Sequence, residues 1–437
     1  MNAVTSTVAS FHPRTLPPML RRNYARELLA MGVLPFMLGA IQSGSMAVVL
    51  KKTFTDIPGL SDDSLNLAVA TLGASTAIGN LSSGVWAACS NGRRKLPFLA
   101  GLMVATSICV GLMGLVPRTA FGAWLLVGLV IAGWLAWSGV ITIRTTVWRA
   151  NYPDANRAQI AGRLATVQAI MMTIAGFMIG ETLDYSSQAF RYLFPAMSLF
   201  GFLGAWLYIR VRLRGQNRLA RAERGGTRDE RPSLNPFAGI RVLKADRPYA
   251  GYMACMFVFG FGNLMIGPTL AIILTDQFQA SYLEAILATM IIPLIVMPFA
   301  IPFWARLLDR IKVIAFRTLH SWVFVLASAL YLIGVEFNLF AVVLVASGML
   351  GLGFSGGMLA WNLGHQYFAP PHRDSQYMSV HVMLTGLRGL IAPFVGVLLY
   401  EMMAPSGHGG LIFSVTMTLN IVGAIGFFIL NRKLNRP

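Results

Sequence analysis

The stretch YAGYMACMFVFGFGNLMIGPTLAIILT, residues 249–275, runs for twenty-seven residues without one charged side chain. Coiled as an α-helix it is about 40 Å long, enough to cross a hydrocarbon layer of about 30 Å. A strand crossing the same layer needs only about 10 residues and alternates apolar with polar side chains, and this stretch does neither. Its single amide, Asn263, and its Gly and Pro residues are stable in lipid only where neighbouring helices satisfy the polar groups they free. The stretch therefore implies a bundle.

Eleven more apolar runs of membrane length lie to either side, at 28–50, 66–88, 96–116, 121–147, 163–181, 190–210, 282–304, 313–335, 338–363, 377–401 and 411–431. Of 437 residues, 56% are hydrophobic and only 12% charged, about half the charged share of a soluble domain. Mean hydropathy is +0.63. The fold class is an all-α polytopic membrane protein of twelve spanning helices.

Net charge is +18, which in a soluble chain would direct attention to nucleic acid. Here the cations follow the topology. With both termini on one face, that face collects 29 of the 35 Lys and Arg, and the opposite face 4: Lys51, Lys52, Arg118 and Arg191. This count assigns Arg163, Arg317 and Arg373 to loops on the basic face. The excess of basic residues predicts that this face is cytoplasmic, with no nucleic-acid partner needed. Cys89, Cys109 and Cys255 have no paired spacing and read as small apolar residues, not as a disulfide or metal site. Residues 1–27 read as a polar cytoplasmic tail with no cleavable signal peptide. Bundles are expected at 28–210 and 249–431, joined by a basic linker at 211–248, with a short tail at 432–437. The linker is too polar to fold alone and reads as flexible or partly helical.

The two halves repeat weakly. An offset of 220 residues places Asp154 on Asp374, Gln168 on Arg388, Gly176 on Gly396 and Glu181 on Glu401. Two further stretches carry a family resemblance: GVWAACSNGRRK between the second and third runs, and FWARLLDRIK between the eighth and ninth. With Gly92, Arg93, Arg94 and Lys95 in the first and Asp309 and Arg310 in the second, they resemble the paired signatures of the major facilitator superfamily. The first copy has Ala88 or Cys89 where the family has an aspartate, and the second has Ala305 in place of glycine. The resemblance implies two pseudo-symmetric six-helix bundles and secondary transport by alternating access. It also makes these six residues a latch between conformations, and the first, fourth, seventh and tenth helices the lining of a central cavity. The alternative reading of the same cations is plain positive-inside topology.

Arg388, inside GLRGLIAPFVGVLL, carries the strongest chemical signal. A guanidinium at membrane mid-depth is costly and faces a cavity or a partner, yet the middles of the runs hold no Asp or Glu. An unpaired cavity arginine suits an anionic group of a solute; the structural alternative is a bond to backbone carbonyls. Gln42, Asn263, Gln168, Asn362 and Trp361 are further substrate-contact candidates, with interhelical hydrogen bonding as the alternative. Trp134 and Trp137 are candidate apolar walls. Gly44 on one side, and Gly260, Gly262 and Pro268 on the other, are expected to interrupt helices 1 and 7. His381 and Arg144 are candidate coupling groups, with Glu27, Asp276 and Glu284 as more peripheral acids. Proton coupling stands level with exchange or facilitated diffusion.

No nucleophile–base grouping, phosphate loop or dinucleotide fingerprint is present, so the chain is not expected to be an enzyme or to hold a cofactor or metal. The expected protein is a monomeric transporter of a small anionic or polar organic solute in a bacterial cytoplasmic membrane. A non-transporting receptor or assembly factor of the same shape, with a sealed interior and a satisfied Arg388, is the first alternative. Export of hydrophobic compounds is the second.

Overall fold

The computed structural model describes residues 11–225, 238–370 and 374–435. The first part of the expected tail (1–10), the middle of the linker (226–237), Arg373 and the last two residues lie outside the described residues. The architecture is entirely helical among the described residues. In the first half, α1 is Pro18–Gly39 resumed as Ser43–Phe54, α2 is Asp62–Leu81 resumed as Ser83–Ser90, α3 is Lys95–Met113, α4 is Ala120–Asn151, α5 is Asp154–Tyr185 and α6 is Phe190–Tyr208. In the second half, α7 is Arg247–Asp276, α8 is Tyr282–Leu308, α9 is Val313–Glu336, α10 is Phe340–Leu363, α11 is Asp374–Met403 and α12 is Ile412–Leu434. Eleven of these are long and apolar enough to cross a membrane, and the more polar α2 is the twelfth. Outward faces carry Phe121, Leu199, Phe299, Phe303 and Val345, all exposed, an apolar exterior that only lipid stabilises.

Within the halves, α1 packs on α5 and α6, α3 on α4 and α6, and α2 on α4; α7 packs on α11 and α12, α9 on α10 and α12, and α8 on α10. The halves meet most extensively along two seams, α2 with α11 and α5 with α8, and α7 also touches α1 and α2. The 220-residue offset exchanges these seams, since it carries the α2 run onto α8 and the α5 run onto α11, and this geometric symmetry is clearer than the residue matches. The linker is partly helical, with short helices at Gln216–Gly225 and Ala238–Ala245.

The expectation of two interrupted helices is corrected on one side. α1 does break, at Ala40–Gln42, where Trp134 Nε1 donates to the Ile41 carbonyl at 2.7 Å and Ser45 Oγ donates to the Gly39 carbonyl at 2.8 Å. These bonds replace what the helix ladder gives up. α7 instead runs unbroken through Gly260, Gly262 and Pro268. Gly260 leaves room for the Arg388 guanidinium, Gly262 for α12, and the Pro268 ring seats against Gly73 of α2. These residues mark close approaches, not a break.

Gly351 of α10 faces the backbone of Pro293 in α8, with an added Cβ placed 2.6 Å from its carbonyl oxygen. Gly351→Val is expected to destabilise the protein by about 1–3 kcal/mol, the usual cost of overpacking. Gly101→Ala, where an added Cβ meets nothing within 4 Å, is expected to be neutral or slightly stabilising. Thermal unfolding of both variants in detergent checks the contrast.

Candidate functional site

The seams close at one end only. At the end away from the termini, Lys51 Nζ at the close of α1 sits 2.9 Å from Asp276 Oδ2 of α7 and 2.9 Å from Asn66 Oδ1 of α2. Thr53 Oγ1 is 3.1 Å from Tyr282 Oη, and Thr289 Oγ1 donates to the Gly44 carbonyl at 3.1 Å. Asp184, at the end of α5, caps the first turn of α8 from across the seam. It accepts from Ser281 Oγ at 2.7 Å, Tyr282 N at 2.6 Å and Leu283 N at 2.9 Å, and a carboxylate is well placed on free amides at a helix N-terminus. Beside these bonds α8 takes a π-helical turn, Leu287–Ile291, a local feature often found at functional sites. These bonds between the halves all lie at this end.

Toward the termini end, α4 and α10 carry exposed side chains. Met358 and Asn362 of α10, and Ile141 and Thr145 of α4, form exposed stripes at a spacing of four residues, so each pair shares one face of its helix. Gln42, Gln168 and Asn263 are half-buried. Gln42 caps the resumed α1, Gln168 Nε2 lies 3.8 Å from Met172 Sδ, and Asn263 Oδ1 is buried without a partner. Asn362 is exposed and donates to the Met358 carbonyl at 2.8 Å. No hydrogen bond joins these four side chains to one another among the described residues.

Arg388 is 8% exposed. Its Nη1 donates to the Met256 carbonyl of α7, Nη2 donates to Thr385 Oγ1 at 3.4 Å, and Nε has no partner. Trp361 Nε1 donates to the same Thr385 hydroxyl at 3.3 Å, and the Trp361 ring lies 5.4 Å from that of His381. Arg388, Trp361 and His381 thus form one cluster through Thr385, a residue the sequence reading passed over. Arg317, counted among loop charges, is corrected: it lies in the second turn of α9 and is 2% exposed. The sequence held a signal for it, since Arg317 and His320 stand three residues apart on one helical face.

In the first half, Glu27 is fully buried and accepts from Trp148 Nε1 at 2.5 Å and Tyr152 Oη at 2.8 Å. The Arg144 guanidinium stands over the Trp148 ring at 4.8 Å, without an ion pair to Glu27. Trp134 and Trp137 serve the fold: one caps the α1 break and the other is buried.

Gly92 has φ +67°, which glycine adopts without strain. Its N–H donates to Glu223 Oε2 of the linker helix at 2.7 Å, and Lys95 Nζ reaches the same oxygen at 2.8 Å. The linker therefore supplies the carboxylate that the loop itself lacks. Arg93 and Arg94 are exposed, as are Asp309 and Arg310, and Asp309 makes no ion pair among the described residues.

Residues 29–393 match the family described as Major Facilitator Superfamily. Among solved structures, a D-xylose–proton symporter is similar with TM-score 0.73 and 14% identity, over 93% of this chain and 97% of that one. The nucleoside transporter NupG is similar with TM-score 0.68 and 11% identity, over 92% and 98%. The xylose transporter XylE from E. coli, in a partially occluded inward-open conformation, gives 0.64 and 14%, over 92% and 97%. No curated protein matches the chain.

A charge-assisted hydrogen bond contributes about 1.5 kcal/mol or more, roughly tenfold in an equilibrium. Removing the far-end seal with Lys51→Ala and Asp184→Ala is expected to speed labelling of Ala285→Cys, a buried seam position, by a membrane-impermeant maleimide at least tenfold. The rate is measured against the same double variant lacking the introduced thiol, so that labelling of the exposed Cys89 is subtracted.

Proposed function

The chain belongs to the Major Facilitator Superfamily, and on that premise we propose that it is a secondary transporter of a small anionic or polar organic solute, described here in a state open toward the termini. The observation that carries this reading is the one-sided seal. A protein that moves solute by alternating access must hold one end shut by bonds that can break while the other stands open. With the basic, termini-bearing face in the cytoplasm, this state is inward-open and the membrane is a cytoplasmic membrane.

Arg388 is the solute's anchor, with Thr385 and Trp361 between it and the open end. Gln42, Gln168, Asn263 and Asn362 supply polar contacts as the halves close, and Gly92, Arg93, Arg94, Lys95, Asp309 and Arg310 form the latch at the termini end. The exposure of Asp309 fits a latch that is undone in this state. The receptor alternative required a sealed interior and a satisfied Arg388; the backbone bond of Nη1 to Met256 meets that requirement in part, and the unpartnered Nε supports transport. In proteoliposome uptake assays over a panel of organic anions, Arg388→Ala is expected to lose at least tenfold of the flux, with Arg388→Lys intermediate. Undiminished flux of every transported anion in Arg388→Ala removes the anchor.

Glu27 is the strongest carboxylate for coupling. Its charge is buried against two neutral donors with no ion pair, an arrangement in which binding or losing a proton is felt strongly by its surroundings. Arg144, stacked on Trp148, is placed to feel that change. Glu27→Gln is expected to abolish accumulation driven by a pH gradient while leaving solute exchange intact. Wild-type accumulation in that variant returns the protein to exchange or facilitated diffusion.

A further inference from the structure

We propose that the termini-end half of the C-terminal bundle is a binding site for a small oxyanion group, cradled by Arg317, Arg388 and His381. Two buried guanidiniums from different helices converge there. Arg317 of α9 donates Nη2 to the Gly357 carbonyl of α10 at 3.5 Å and leaves Nε unpartnered. Arg388 of α11 is held to α7 and likewise leaves Nε unpartnered. His381, about two turns before Arg388, is 1% exposed, and neither of its ring nitrogens has a partner. Tyr252 Oη is also buried and unpartnered, and so is His320 Nδ1, whose Nε2 lies 2.7 Å from the Gly353 carbonyl. α10 joins these groups: Arg317 meets it at Gly357, and Trp361, one turn further on, lies against His381 and shares the Thr385 hydroxyl with Arg388, while Tyr252 stands one turn before Met256, whose carbonyl holds Arg388.

Among the described side chains, nothing on the surrounding helices neutralises this charge. α10 and α12 have no carboxylate; Asp276, Glu336 and Glu401 lie at the far ends of α7, α9 and α11, and Glu284 lies at the far end of α8. Asp309 is exposed at the close of α8. Asp246, before α7, is engaged by Tyr249 N and Tyr377 Oη, each at 2.9 Å. The Asp374 side chain, seven residues before His381, lies outside the described ones. Two like charges buried without a counter-charge are strongly unfavourable, and a guanidinium is the donor that best matches the planar oxygens of carboxylate, phosphate or sulfate. The entrance is at the open end, past half-buried Trp361 and exposed Asn362.

The inference rests on the assignment of Arg388 above, but it is tested by binding and not by flux. The purified full chain in detergent is unfolded by heat in rising sodium phosphate or sodium sulfate, against sodium chloride at equal ionic strength. A ligand that binds only the folded form raises the unfolding temperature by mass action. A saturable rise of a few degrees is expected, lost in Arg317→Gln and in Arg388→Gln and kept in Lys433→Gln, which removes an exposed cation at the close of α12. Where a glutamine variant fails to fold, Arg317→Lys and Arg388→Lys keep the charge and lose the fork, and the half-saturating concentration is expected to rise at least tenfold. No rise beyond that in chloride, or a rise untouched by every substitution at Arg317 and Arg388, overturns the site. Competitive inhibition of solute flux at the same half-saturating phosphate concentration assigns the site to the solute's own acidic group, and stimulation assigns it to a resident inorganic ion. A phosphate shift in a protein that transports nothing leaves the site standing and removes the transport reading.

Discussion

Hydrocarbon offers no partner to a peptide group or a charge, and the features that distinguish this chain from twelve plain rods are the places where it supplies its own. The break in α1 exposes carbonyls in mid-membrane, and Trp134 and Ser45 satisfy two of them. The guanidinium of Arg388, 8% exposed, takes the Met256 carbonyl and occupies the space that Gly260 leaves open. Glu27 takes the indole and the phenol of α4. In a soluble protein water would fill these roles and the geometry would be looser. Here each polar group in the membrane fixes the helix beside it, so a mobile bundle also has a defined interior.

The seal obeys the same constraint in reverse. Its charges, Lys51, Asp276 and Asp184, stand at helix ends, where opening returns them to water and not to lipid. Moving a two-state equilibrium from one side to the other takes about 5.5 kcal/mol, and a few charge-assisted bonds of about 1.5–3 kcal/mol are of that size. A deeply buried ion pair would be too expensive to separate. The seal is therefore matched to a reversible transition; beside it the contact of Gly73 on Pro268 is an apolar surface that can part without stranding a polar group, while the contact of Gly44 on α8 carries one further bond to break, from Thr289 Oγ1.

Much of the architecture was legible in the residues, because long uncharged runs in lipid have one stable solution and the loops carry the topology in their charge. What periodicity and composition missed are matters of three dimensions. Glycines in α7 look like a hinge until Arg388 and α12 are seen to fill their space. Arg317 looks like a loop charge because α9 starts only one turn before it. Glu223 sits in a polar linker with nothing to mark it, yet it supplies the carboxylate that the loop of Gly92 and Lys95 lacks. Asp184, a loop-end acid in the sequence, becomes a helix cap only once α5 meets α8. Arg388, Trp361 and His381 were each singled out, and it took Thr385, an ordinary hydroxyl, to join them.

The two bundles hold opposite chemistry on a symmetric frame. The first buries a carboxylate, Glu27, with one arginine standing off it across an indole. The second buries Arg317 and Arg388, with both ring nitrogens of His381 and Nδ1 of His320 unpartnered and no acid among them in the described residues. Under the offset that exchanges the seams, Gln168 corresponds to Arg388, so the duplication kept a polar position and changed its charge. On the proposed reading this divides the labour: the first bundle carries the group that takes and releases a proton, and the second carries the groups that want an anion. The seams α2–α11 and α5–α8 join these interiors. A solute bearing an acidic group neutralises the second bundle, lowers the cost of closing lipid and protein around it, and so favours the closure that the open termini end awaits.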